Sequence, residues 1–166
     1  MRDRVDDILG QWKRERPDLD TRAMGVIGRI QRAASALRPK LDETHEVSGL
    51  AGETFDVLAS LRRSGAPYQL TPTQLYREMM LTSGAMTNRI DRLEEAGLVS
   101  RRPDPEDRRG TLVRLTTKGK ALIDAATTKH VVNEQGLLGI LSEREQQQLS
   151  DLLKKLLVAL GDAAEP

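Results

Sequence analysis

LTPTQLYREMMLTSGAMTNRIDRLEEAGLVSRRPDPEDRRGTLVRLTTKG, residues 70–119, decides the fold of this chain. Thr71 is a good N-cap and Pro72 suits the first helical position, where a backbone N–H has no partner. Leu75 and Met79 then face inward, Leu81 plugs a tight turn, and Thr82 or Ser83 caps a second helix. On that second helix Met86, Ile90 and Leu93 step by four and three, which defines its buried face. The opposite face carries Ser83, Gly84, Ala85, Thr87, Asn88, Arg89 and Arg92. Small and hydroxylic residues at a helix start let the backbone approach a phosphate or a base edge, and the helix dipole favours that approach. Asn88 can pair with an adenine edge, and Arg89 can reach a guanine or a phosphate. Gly97 stops the helix, residues 98–102 read as a strand, 103–110 as a turn and 111–115 as a returning strand. Arg108 and Arg109 fall near the tip of this hairpin, and Asp107 beside them can pair with an arginine and hold the shape of a wing. A helix-turn-helix followed by a basic wing points to double-stranded DNA, with the second helix in the major groove.

The rest of the chain gives little global signal. Net charge is +1, and residues 82–118 hold eight basic against six acidic side chains, so any attraction to nucleic acid comes from placement rather than from total charge. There is no cysteine, which excludes disulfides, thiol catalysis and thiolate metal sites. His45 and His130 are distant in sequence and read as packed or solvated helix residues, so no metal or cofactor is expected. No nucleotide loop and no Ser/His/Asp spacing supports an enzyme. No apolar run approaches the ~20 residues that span a bilayer, and the charged N-terminus is unlike a signal peptide, so a cytoplasmic location with no membrane partner is expected.

Outside the reader the chain is helical. Val5, Ile8, Leu9 and Trp12 make a short amphipathic helix over 3–14; Met24, Ile27, Ile30, Ala34, Leu37 and Leu41 mark a longer one over 21–47, with Pro39 expected to kink or pause it. Phe55, Leu58 and Leu61 mark a third helix over 53–63, capped by Gly65. Thr116 caps a helix running to about Leu138. Ser142 and Glu145 match a capping box that opens a helix striped with Leu149, Leu152, Leu153, Leu156, Leu157 and Leu160. These stripes exceed what the small central module can cover, so a homodimer built from both chain ends is expected. The fold class is therefore mainly α with a small β-wing: a winged helix-turn-helix module over 48–116, flanked by helices over 1–47 and 117–166 that dimerise. A two-fold dimer implies a pseudo-palindromic operator with half-sites about one helical turn apart.

The motif Asp107-x-Arg109-x-x-x-Val113-x-Leu115-Thr116-x-x-Gly119 resembles the wing signature of the MarR family. Ile90-x-x-Leu93-x-x-x-Gly97-Leu98-Val99 resembles its recognition-helix ending. The resemblance covers nearly the whole chain and implies a homodimeric transcription regulator, usually a repressor released by a small acidic ligand. The segments around Trp12–Asp20, Gly25–Arg29, Phe55–Leu58, Leu61–Pro67 and Leu81–Arg89 resemble the branch that contains PecS and the urate-responsive regulators, which carries an extra N-terminal helix. That branch implies a site for urate or xanthine at Trp12, Asp56 and Arg89, with Arg101 linking the site to the DNA-binding lobe. The chemistry agrees: a planar purine anion stacks on an indole, a guanidinium supplies a charged donor, and a carboxylate repels it. The alternatives are a regulator for phenolic or drug-like compounds, one without ligand, or a dimeric interaction module without DNA binding.

Overall fold

The computed structural model describes residues 1–47, 49–50, 52–79, 83–107 and 109–162, with the backbone alone for 46–47 and 83–85. Leu81, Thr82 and Arg108 from the sequence reading lie outside the described residues, as do the side chains of Ser83, Gly84 and Ala85. The elements in order are α1 (Arg4–Glu15), α2 (Arg22–Val47), α3 (Gly52–Arg63), β1 (Gln69–Leu70), α4 (Pro72–Met79), α5 (Ser83–Glu95), β2 (Val99–Pro103), β3 (Thr111–Leu115), α6 (Thr117–Leu138) and α7 (Glu143–Ala159).

Local signals set most of these boundaries. Thr71 Oγ1 accepts from the Gln74 backbone N–H at 3.1 Å, and Gln74 Oε1 accepts from the Thr71 N–H at 2.8 Å, so α4 opens on a reciprocal cap. Reciprocal caps also open α1 through Asp3 and Asp6, and α7 through Ser142 and Glu145. Gly97 ends α5 with φ +68°, a conformation that favours glycine, and the Leu98 N–H returns to the Leu93 carbonyl at 2.9 Å.

Two expectations change. Pro39 lies inside α2 without interrupting it, so 22–47 is one helix rather than a paused pair. The wing is not a lone hairpin: β1 adds to β3, giving an antiparallel sheet in the order β1-β3-β2, with Leu70 opposite Val113 and Val99 opposite Leu115. A two-residue strand carries too little pattern to be legible, and it appears only because β3 offers it an edge.

The core joins α3, α4, α5, the sheet and the N-terminal half of α6. Leu58, Leu61, Leu75, Ile90, Val113 and Ile123 are fully buried there, each adding roughly 1.5–3 kcal/mol on removal from water. The first turn of α6 is clamped onto the α5–β2 corner. Thr116 Oγ1 donates to the Gly97 carbonyl at 2.8 Å and accepts from the Gly119 N–H at 3.0 Å, while the Thr116 N–H reaches the Leu98 carbonyl at 3.1 Å. Gly119 allows that approach, because a Cβ there would stand 2.0 Å from the Leu98 carbonyl oxygen.

Helices α1, α2 and α7 bury little within the chain. On α1 only Val5 is buried, and α1 is pinned to α2 by Arg29, whose guanidinium donates to Asp3 at 2.8 Å and to Asp6 at 2.6 Å. Ile8, Trp12, Met24, Val26 and Ile27 remain exposed, as do Leu149, Leu152, Leu156, Leu157 and Leu160 toward the C-terminus.

Candidate nucleic-acid interface and the cluster behind it

Helix α5 has two differently used sides. Met86, Ile90 and Leu93 are buried at 1–2 % exposure and fix its rotation in the module. Thr87, Asn88 and Arg92 lie on the far side, where the sequence placed a DNA-reading face, and all three are exposed. Arg102 on β2 and Arg109 near the wing tip are exposed as well. Among the described residues, Arg92, Arg102 and Arg109 make no ion pair, so these guanidinium groups are available to phosphates.

The wing is shaped by backbone contacts. Asp107 Oδ1 accepts from the Arg109 backbone N–H at 2.9 Å, and the Gly110 N–H donates to the Asp107 carbonyl at 2.8 Å. Asp107 thus shapes the turn on its own backbone, its short side chain reaching the N–H two residues on.

Arg101 ties the wing to the recognition helix. Its guanidinium pairs with Asp91 and Glu94 of α5, and its backbone N–H donates to Glu94 Oε1 at 2.9 Å. The Arg101 backbone N–H, and then its side chain, hold the Glu94 carboxyl below the usual carboxylate range. A rotation of α5 therefore carries β2 with it.

Arg89 is turned away from the exposed side of α5. Its side chain is 12 % exposed, and Nη2 meets Glu53 Oε2 of α3 at 3.2 Å. Nε is buried and has no hydrogen-bond partner among the described residues. One turn along α3, Asp56 shares the same region: partial desolvation raises its carboxyl above the ordinary range, against the opposing attraction of His45, Arg89, His130 and Arg63. Asp56 is nonetheless exposed to solvent, so the shift marks crowding by neighbouring atoms rather than burial. The structure thus brings Asp56 and Arg89 into one electrostatic cluster. Trp12, 39 % exposed on α1, has no hydrogen bond or ring contact to either among the described residues.

Two participants escaped the sequence reading. Glu53 is one, although its spacing of three from Asp56 places both carboxylates on one side of α3. The other is the pair His45–His130, 85 positions apart, whose Nε2 and Nδ1 lie 3.1 Å from each other where α2, α3 and α6 meet. Phe55 stacks on His45 with ring centroids 4.3 Å apart, and His130 Nε2 reaches Glu134 at 3.1 Å. With both rings neutral, the network assigns His45 Nε2–H as donor to His130 and His130 Nε2–H as donor to Glu134. An added proton must then occupy His45 Nδ1, which is buried without a partner among the described residues. Burial, followed by repulsion from His130, accordingly lowers the His45 pKa, against attraction from Asp56, Asp42 and Glu134.

A lowered histidine pKa means that the unfolded chain takes the proton first. The contribution of His45 to stability is complete above its ordinary value of 6.5 and is lost as pH falls from there through its folded value. Asp56 acts with the opposite sign: its raised pKa gives stability present below 3.8 that is lost as pH rises through the folded value. Chemical denaturation from pH 7.5 to 5.0 is expected to show a fall in unfolding free energy that His45→Phe flattens. Parallel pH curves for the two proteins would refute the assignment.

Comparison with known proteins agrees with this geometry. Residues 48–110 match the MarR family. The HTH-type transcriptional regulator PecS of Dickeya dadantii is 41 % identical over 152 residues, covering 92 % of each chain. Among solved structures, a mutant MarR of E. coli complexed with operator DNA aligns with TM-score 0.71 at 31 % identity, over 82 % of this chain and 97 % of that one. Sco5413, a MarR family regulator from Streptomyces coelicolor, aligns with TM-score 0.74 at 30 % identity, over 88 % of this chain and all of that one. The exposed side of α5, the wing, the flanking helices and this likeness over nearly the full length place the chain in the MarR family of winged helix-turn-helix, DNA-binding transcriptional regulators, which are not enzymes.

Proposed function

We propose that this regulator is a homodimeric repressor released from a pseudo-palindromic operator by a small planar acid such as urate or xanthine, bound at Asp56 and Arg89 with Trp12 as the stacking wall. The observation that carries this reading is the juxtaposition of Asp56 with an almost buried Arg89 whose Nε has no partner among the described residues, directly behind the DNA-reading side of α5. Such a guanidinium is a donor awaiting an acceptor. An anion seated on it repels Asp56 and shifts α3 against α5, and the Arg101 clamp carries the shift to the wing. A ligand weakens DNA binding only through different affinities for the two forms, typically by ~1–3 kcal/mol of coupling. Likeness to PecS is further support.

The dimer reading rests on apolar surface. Leu138, Leu141, Leu149, Leu153 and Leu157 line an open groove of about 490 Å³ between the end of α6 and α7, beside the exposed leucines of that helix. Patches of this kind mark interfaces, and a second copy supplies the matching stripe.

Trp12 is the single tryptophan and reports directly. Urate or xanthine at micromolar to sub-millimolar concentration is expected to quench its fluorescence and release operator DNA in a mobility shift. Asp56→Asn and Arg89→Ala should abolish the response. Unchanged fluorescence together with unchanged DNA binding rules out a purine effector.

A further inference from the structure

We infer that Glu53 is a built-in competitor for the effector: its carboxylate occupies the Arg89 guanidinium when no ligand is present, and the ligand binds by displacing it. This rests on the reading of Asp56 and Arg89 as the effector site.

The pairing has the features of a placeholder. The ion pair between the two side chains is loose: Arg89 Nη2 stands 3.2 Å from Glu53 Oε2, longer than the ~2.7–2.9 Å usual for a charge-assisted bond. The unused donor is Arg89 Nε, which is buried and has no partner among the described residues. Glu53 loses little by leaving, since its side chain is 66 % exposed, whereas Arg89, at 12 %, is held in place by its surroundings. Glu53 also stands in the first turn of α3, so its swing needs no change in the helix. An occupant that satisfies Arg89 better must present two acceptors in one plane, spaced to meet Nε and Nη2 together. Carboxylates and the oxygen–nitrogen edges of oxidised purine anions have that form, while phenols, with one oxygen, do not. Glu53 therefore selects as well as competes: a ligand able to make one contact only exchanges it for one already present, and gains nothing from Nε.

The experiment is a titration of full-length wild type and Glu53→Gln with urate and, separately, xanthine, followed by calorimetry and Trp12 fluorescence. Glutamine keeps the shape and removes the charge, and Glu53→Ala serves as a second variant that removes the contact altogether. Both variants are expected to bind roughly three- to fivefold more tightly than wild type, the scale of one partly exposed ion pair. Melting in the presence of ligand provides an independent reading, because tighter binding raises the ligand-induced shift in Tm at equal ligand concentration. Equal or weaker binding by both variants, with wild type still binding, overturns the role of Glu53 and leaves the Asp56–Arg89 site standing. Absence of binding by all three proteins overturns the site and the competitor together.

Discussion

Gly119→Ala is expected to unfold a large part of the DNA-binding module, with a loss on the order of 3 kcal/mol or more and a corresponding fall in operator binding. The added methyl would meet the Leu98 carbonyl oxygen at 2.0 Å and its carbon at 2.9 Å, and both belong to backbone rather than to a flexible side chain. Relief requires α6 to lift from the α5–β2 corner. That motion strains the Thr116 contacts to Gly97 and Leu98, and withdraws Ile123, which is fully buried, from the core. Gly136→Ala on the same helix is the control, because nothing lies within 4 Å of the position its methyl would take. There the ordinary helix preference for alanine over glycine predicts no loss and a gain of up to ~1 kcal/mol. Urea denaturation of the two variants checks the contrast, and equal stabilities would show that close approach is not why residue 119 is glycine.

Replacing Leu152 and Leu157 together by glutamate should convert the protein to a monomer and weaken operator binding by roughly a hundredfold or more. Both side chains lie on α7, at 67 % and 47 % exposure, and α7 buries none of its residues within the chain. Both positions are already solvent-exposed in one protomer, so the new charges cost the isolated chain little, whereas in the proposed homodimer they would enter its apolar interface. The fall in affinity follows from losing the second reader, whose binding is intramolecular once the first is seated; such linkage commonly multiplies affinity by about 10²–10⁴. Sedimentation velocity with a parallel mobility shift makes the test. A variant that still sediments as a dimer would refute the assignment of α7 to the interface. A monomer with unchanged operator affinity would refute the need for two readers.

What was legible in the sequence follows the range of the interactions involved. The caps at Thr71, Thr116 and Ser142, the stop at Gly97 and the buried side of α5 all arise from neighbours within a few positions, and each stood in the structure where its pattern put it. The outward placement of Thr87 and Arg92 followed from the burial of Met86, Ile90 and Leu93, since fixing one side of a helix fixes the other. Arg89 was harder, because it lies between the two sides, and only tertiary packing turns it toward Glu53. The meeting of His45 with His130 and of Arg62 with Asp124, 85 and 62 positions apart, has no local signature at all. Strand β1 was missed for a related reason: two residues have no measurable alternation, and their extended form is imposed by β3.

Helix α6 can be considered as a machine part. It starts in the Thr116–Gly119 clamp on the reader and ends beside the apolar groove that α7 shares, without a break over its 22 residues. A rod of that length spans about 33 Å, close to the ~34–36 Å between half-sites on one side of the duplex. Such a rod works as a caliper arm. A tilt of about 5° at its base moves its far end by about 3 Å, close to the ~3.4 Å rise of one base pair. In the proposed homodimer, small adjustments where α2, α3 and α6 meet would thereby be enlarged into a mismatch between the jaws and their operator.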